Sequence, residues 1–202
     1  MTDAEVETAY SKRAAEYTAR FGSVESTHPA DRKLVADWVA PLVGPVLDVG
    51  CGPGHWTKFL ADHGAAVEGI DLVPAFIKQA EASFPGIPFR VASLTSFGVP
   101  EGYASGVLAW YSLIHFEPDQ VPSVLRELAR RRTPGGLLLL LGLFEGDEIA
   151  RYPHAVTPAY SWPVGDLSRI LSAAGFETIS HQRRTDPGHR PHAAISARLS
   201  HS

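Results

Sequence analysis

"VLDVGCGPGHW", residues 46–56, runs from an apolar stretch through an acid into three alternating glycines and a bulky pair. A short apolar run that ends in glycines reads as a buried strand turning sharply beside a ligand. Gly50, Gly52 and Gly54 clear side chains from that turn and admit unusual dihedrals. Downstream, Gly54 to His63 reads as a helix stopped by Gly64, and Ala66 to Ile70 as a second strand. Pro74 to Phe84 is the next helix, Ile87 to Val91 a third strand and Gly106 to Tyr111 a fourth. Pro118 to Arg132 is a helix broken by "TPGG" before the strand Leu137 to Phe144. Upstream, Ala4 to Arg20 and Pro29 to Ala40 read as two leading helices. In the tail, Pro163 to Ala174 is a helix ended by Gly175, and Phe176 to His181 and His192 to Leu199 are strands joined by the turn "TDPGHRP". The alternation predicts an α/β, doubly wound, mostly parallel sheet with ligands at the carboxyl ends of its strands. With no room for a helix between them, the last two strands form an antiparallel C-terminal hairpin.

Glycines after a strand serve several nucleotide ligands, so their neighbours must decide between them. A dinucleotide fingerprint needs glycine at position 55, where this chain has His55, and no Gly-Lys-Ser/Thr follows to make a phosphate loop. Asp48 would put negative charge where a pyrophosphate lies, and it suits a ligand with a positive group instead. Asp71 closes the second strand about 20 residues past the glycines, the usual distance for a carboxylate that accepts from ribose hydroxyls. As a competing reading, Asp71 caps the helix starting at Pro74.

The stretches VLDVGCGPGHWT (46–57), VEGIDLVP (67–74), RVASLTSF (90–97), VLAWYSLIHF (107–116) and TPGGLLLLLG (133–142) together resemble the class I S-adenosylmethionine-dependent methyltransferases. They occur in family order and cover about a hundred central residues. The resemblance implies a Rossmann-like, seven-stranded sheet that binds S-adenosylmethionine across its first strands. It places the backbone of Gly50, Cys51 and Gly52 against the methionine and ribose part, Asp48 near the ammonium group and Asp71 on the ribose. It also sets Leu72 against the adenine ring and makes Trp56 part of the cofactor site. Many members carry an acid near position 93 or 94 for the adenine amine. Here Ser93-Leu94 stands there, so the serine hydroxyl or a backbone carbonyl must substitute.

Methyl transfer from a sulfonium mainly requires alignment, exclusion of water and, where needed, removal of a proton. "WYSLIHF" leaves the fourth strand over the reacting methyl group. Trp110 and Tyr111 then line the methionine end, and His115 is the candidate general base, against the reading that it only hydrogen-bonds its loop. Tyr10, Arg13 and Tyr17 recur at helical spacing in the first helix, with Tyr17 as the lid residue over the cofactor and Tyr10 and Arg13 toward the acceptor. The loop "RYPHAVTPAYSWP" (151–163) offers His154 and Tyr160 to the acceptor, while Trp162 suits either pocket or core. Arg183, Arg184 and Arg190 either bind an acidic group on the acceptor or are surface charges. Cys51 reads as a small residue tolerated in a tight turn, and His189 and His192 as a solvated loop, so no metal is expected.

The 202 residues are enough for one core of ordinary size, read as a single domain. Residues 1–40 form a helical lid, 41–144 the cofactor core, and 145–202 an acceptor loop with the terminal helix and hairpin. A net charge of −4 argues against nucleic acid or an anionic membrane as partner. One cysteine excludes an intrachain disulfide, and the acidic start is unlike a signal, which places the protein in the cytoplasm as a monomer or homodimer. The function read from the sequence is methyl transfer to an O, N, S or carboxyl group of a small molecule. A non-catalytic S-adenosylmethionine binder and, behind it, a nicotinamide-dependent oxidoreductase are the alternatives.

Overall fold

The apolar run before the glycines forms β1 (Pro45–Val49), an interior strand of a seven-stranded sheet in a computed structural model that describes residues 2–199. Met1 and residues 200–202, the ends of the expected domain, lie outside the described residues. β2 (Ala66–Asp71), β3 (Phe89–Val91), β4 (Gly106–Trp110) and β5 (Leu137–Phe144) run parallel to β1. A separate antiparallel ribbon pairs β6 (Ala150–Tyr152) with β7 (Ala159–Ser161). β8 (Glu177–Arg184) and β9 (His192–Leu199) form the antiparallel hairpin, and β9 also runs antiparallel to β5. The sheet order is β3-β2-β1-β4-β5-β9-β8. The fold is therefore the doubly wound α/β sheet expected from the sequence. Its chain leaves β1 toward β2 and returns on the other side to β4, which opens a crevice at the carboxyl ends of these two strands.

Alternation along each strand divides the core between two faces. Leu47, Val49, Val107, Leu139 and Leu141 pack on one side with α6 (Val121–Ala129) and α7 (Val164–Ala173). Val46, Leu108 and Leu140 pack on the other with α3 (Pro29–Val39) and α4 (His55–Asp62). In α6 the buried residues Val121, Val124, Leu125 and Leu128 follow helical spacing, so one stripe of the helix meets the sheet. Each fully buried leucine contributes about 1.5–3 kcal/mol to this assembly. No helix among the described residues is long and apolar enough to cross a membrane.

Three local expectations are corrected. The leading helix is two, α1 (Asp3–Ser11) and α2 (Ala14–Phe21), because Arg13 leaves helical geometry at φ −120° and ψ 10°. No helix breaker stands there; the bend brings Tyr10 and Tyr17 together on Phe76 of α5 (Pro74–Ser83), at ring separations of 6.0 and 5.3 Å. Packing outweighs local propensity at this point. The proline-rich loop is not wholly irregular, since β6 and β7 form within it. β8 continues past His181 to Arg184, because a polar edge strand hides the alternation by which strands are read.

Candidate active site

Three glycines of the turn after β1 have positive φ: +73° at Gly50, +55° at Gly52 and +85° at Gly54. At Gly50 a Cβ would stand 2.4 Å from the Cβ of Ser112, so the turns after β1 and β4 press together and only glycine fits. Above Gly52 the space is open, with the ring of Tyr17 as the nearest atom to a Cβ at 3.9 Å. A backbone cradle with an aromatic roof results. Asp71 secures its edge: one carboxylate oxygen accepts from the Gly52 N–H and the other from the Val73 N–H, both at 2.8 Å. Val73 itself occupies the helix N-cap position, so Asp71 joins the start of α5 to the glycine turn. Burial outweighs these bonds and pushes its carboxyl up to about 6. Asp48 is more strongly affected, raised by burial to about 7 even though the Thr57 hydroxyl donates to it at 2.6 Å. Burial also pushes the Cys51 thiol well above its usual range, which makes a nucleophilic role unfavourable at neutral pH.

At the end of β4 the chain makes a second tight turn. Tyr111 has φ 59°, the only positive φ outside glycine among the described residues, and its hydroxyl meets His192 Nδ1 at 2.5 Å. Trp110 lies against Gly142 of β5 and stands 5.7 Å from Trp56, centroid to centroid. His115 bridges lid and loop. Its Nδ1 lies 2.9 Å from the Pro158 carbonyl, which can only accept, so Nδ1 carries the proton and Nε2 accepts from the Tyr10 hydroxyl at 2.8 Å. Burial pushes this imidazole down to about 4, with His154 adding to the shift, so His115 is neutral at physiological pH. Tyr10 is shifted the other way, well above the usual phenol range, again by burial.

A single cavity of about 800 Å³ runs through these groups. It is lined by Asp48, Gly50, Cys51, Gly52, Asp71 and Leu72 at the ends of β1 and β2, and by Ser93 and Leu94 beyond β3. Trp56, Trp110, Tyr111, Tyr17, Tyr10, His115 and His154 also face it. Two expected acceptor residues do not. Arg13 is half exposed, pairs with Glu16 and donates to the Ala155 carbonyl, fastening the lid to the loop after β6. Tyr160 stands beside Ala159 on β7, and the two-residue strand period turns it away from the cavity, where it donates to Glu117. Trp162 is a core residue. Among the arginines, Arg184 lines the cavity but is held by Asp31 and Asp186, Arg183 pairs with Glu145, and Arg190 lies over the Tyr152 ring. His189 and His192, read as a solvated loop, face the cavity too.

Several contributors escaped the sequence reading. Thr57 sits within the quoted motif and offers the hydroxyl that Asp48 accepts. Asp3 of α1 accepts from Ser93, which puts a lid carboxylate at the far end of the cavity. Among the lining residues, Ser112, His55 and the expected His154 each hold a buried polar atom (Oγ, Nδ1 and Nδ1) with no hydrogen-bond partner among the described residues.

Residues 46–136 match a family described as "Methyltransferase domain". The chain is 34% identical over 173 residues to a trans-aconitate 2-methyltransferase of Methylobacterium radiotolerans, covering 75% of this chain and 61% of that protein. The chain spans about half the length of the curated relatives it matches, 43% and 61% for two of them. Among solved structures, Burkholderia thailandensis 1,6-didemethyltoxoflavin-N1-methyltransferase, with bound 1,6-didemethyltoxoflavin and S-adenosylhomocysteine, superposes with a TM-score of 0.79 at 21% identity, over 100% of this chain and 92% of that one. The [4+2]-cyclase SpnF superposes at 0.81 and 18% identity, over 100% and 98%. These two likenesses concern the fold. With the domain match beginning at the glycine turn and running through the strands that follow, residues 46–136 carry a methyltransferase domain, and the chain is similar to class I S-adenosylmethionine-dependent methyltransferases.

Proposed function

We propose that this protein moves a methyl group from S-adenosylmethionine to an oxygen, nitrogen, sulfur or carboxyl group of a small molecule. One observation carries the reading: the same cavity joins the Gly52 cradle and Asp71 to the neutral imidazole of His115. Its volume of about 800 Å³ falls in the range of small-molecule sites. The residues fit the cofactor. Open space above Gly52, buried carboxylates at Asp48 and Asp71, and unpartnered polar atoms on Ser112 and His55 suit a ligand with ribose hydroxyls and positive groups. When bound, S-adenosylmethionine supplies an electrophilic methyl group on a sulfonium sulfur.

The chain's own groups then have distinct tasks. Asp71 and the Gly52 backbone hold the ribose, Asp48 offsets the ligand's positive charge, and Leu72 and Leu94 pack at the adenine end beside Ser93. Tyr17 roofs the cradle and excludes water. Trp110 and Tyr111 confine the reacting end. The Pro158 carbonyl fixes the His115 tautomer, so Nε2 presents a lone pair; rotation of the Tyr10 hydroxyl frees that lone pair to take the acceptor's proton. Tyr10 and His154 line the acceptor side.

The reading further treats the chain as one domain with a lid over residues 1–40, acting in the cytoplasm as a monomer or homodimer, without nucleic acid or membrane as partner. The nicotinamide alternative is disfavoured by His55, a partly buried side chain where the pyrophosphate turn needs glycine, and by the carboxylate of Asp48. A cavity that continues past Tyr111 to His115 and His154 supports catalysis over mere binding of the cofactor. Parallel calorimetric titrations with S-adenosylmethionine, S-adenosylhomocysteine and NAD test the proposal. Binding of the two sulfur ligands alone is expected, and binding of NAD alone would overturn it.

A further inference from the structure

The acceptor end of the cavity has a wall of rings drawn from four places in the chain. His115 follows β4, His154 lies between β6 and β7, Phe144 ends β5 and His192 begins β9, while Tyr111 closes the set. Neighbouring centroids are 5.4 Å apart for His115 and His154, 6.0 Å for His154 and Phe144, and 4.9 Å for Phe144 and Tyr111. Phe144 and His192 stand 5.4 Å apart, being register partners across β5 and β9. Burial lowers the pKa of His115, His154 and His192, so the imidazoles in this wall favour their neutral form.

Charge at this end points the same way. Arg184 is the only lysine or arginine lining the cavity among the described residues, and its guanidinium is already engaged. Asp31 takes two of its nitrogens and Asp186 takes Nε at 2.7 Å, so two carboxylates surround one cation. An anionic acceptor would find the one lysine or arginine of the cavity already satisfied, and breaking such a paired arginine away is strongly unfavourable. A flat neutral molecule meets ring faces and edges instead, and finds the unpartnered Nδ1 of His154 as a polar anchor.

Resting on the methyltransferase reading, we infer that the acceptor is an uncharged, planar aromatic molecule with a hydroxyl or ring N–H as its methyl-accepting group, and not a di- or tricarboxylate. The ring lies against Phe144, Tyr111 and His154, and its X–H group points toward His154 Nδ1 or His115 Nε2.

The test is calorimetry on the full chain with and without S-adenosylhomocysteine, using 2-naphthol as the neutral probe and trans-aconitate as the tricarboxylate. With S-adenosylhomocysteine bound, 2-naphthol is expected to bind and trans-aconitate to give no heat. His154→Ala, a change in a partly exposed loop, should weaken 2-naphthol at least about tenfold while leaving S-adenosylhomocysteine affinity in place. Asp31→Asn with Asp186→Asn should raise affinity for trans-aconitate by about tenfold or more, by releasing Arg184. If wild type holds trans-aconitate more tightly than 2-naphthol, or if 2-naphthol fails to bind while S-adenosylhomocysteine does, the inference is overturned and the cofactor reading stands. If 2-naphthol binds and S-adenosylhomocysteine does not, the methyltransferase reading falls and the neutral aromatic chamber stands. Silence from both overturns both.

Discussion

His115 has its protonated nitrogen committed to a carbonyl and its free nitrogen facing a tyrosine hydroxyl inside the cavity, the arrangement of a neutral proton acceptor. Replacing it with alanine should lower turnover by about a hundredfold or more while S-adenosylhomocysteine affinity, read by calorimetry, changes little. Asp48 gives a pH signature. Its carboxyl is raised from the ordinary range to about 7, so near pH 6 the ligand-free protein holds a proton there that a positively charged ligand should expel. Titrating S-adenosylmethionine near pH 6 in buffers of different ionisation enthalpy should therefore report proton release, reduced in Asp48→Asn. The stability sign follows from the same shift: the unfolded carboxyl ionises first, so the native state retains more protons as pH rises from about 4 to about 7, and Asp48 lowers stability progressively across that window. The buried histidines 55 and 115, lowered to about 4, act in the opposite direction. Comparison of melting temperatures for wild type and Asp48→Asn isolates the aspartate, and the variant should gain relative stability toward pH 7. Asp3 matters at the adenine end, where the motif has Ser93-Leu94 in place of the usual acid and Asp3 accepts from that serine. Asp3→Asn should weaken S-adenosylhomocysteine by about tenfold, as expected for loss of a charged hydrogen-bond acceptor. The placement of the glycines, Asp48 and Asp71 was legible because it depends on the strand and turn that carry them. Asp3 was not, because nothing near residue 3 in sequence announces that it will meet residue 93.

The parallel strands were the most legible elements, each a short apolar run followed by a turn signal. Leu139 shows what that pattern accomplishes: buried at the centre of β5, it packs with Val107 and Leu125 between sheet and helix. Leu139→Ala should destabilise the fold by about 2–5 kcal/mol in chemical unfolding, since a rigid sheet cannot collapse onto the space left behind. Elements whose form depends on partners were less legible. The split between α1 and α2 serves the contact of two tyrosines with Phe76, which belongs to a different helix. The β6–β7 ribbon pairs Arg151 with Tyr160 in a segment whose prolines suggest only a loop. Its register packs Ala159 into a buried cluster with Ile114 and Tyr152 and turns Tyr160 out to Glu117, a one-residue distinction that composition does not contain.

Across the whole molecule, the two leading helices are held by the packing of Tyr10 and Tyr17 on Phe76 and by a few polar contacts to four separate regions. Asp3 meets Ser93, Tyr10 meets His115, Arg13 meets the Ala155 carbonyl and Thr18 meets Gln79, while α1 contributes no buried residue. Elements held in this way open at low free energy. Amides of residues 3–21 should exchange with deuterium faster than those of β4 and β5 in the ligand-free protein, and slow when S-adenosylhomocysteine is bound; equal rates in the two states would mean that the lid does not respond to the site. The sequence by itself determined the doubly wound sheet, its antiparallel end, the glycine turn and the acid at the end of β2. Those properties follow from apolar period, turn chemistry and spacing within one or two neighbouring elements. Tertiary structure alone decided which side chains confront one another across the cavity: Tyr10 with His115, 105 residues apart, and Arg184 with Asp31, 153 apart. Such contacts are set by how the lid and the terminal hairpin close over the strand ends, and that closure depends on packing between surfaces that no local pattern describes.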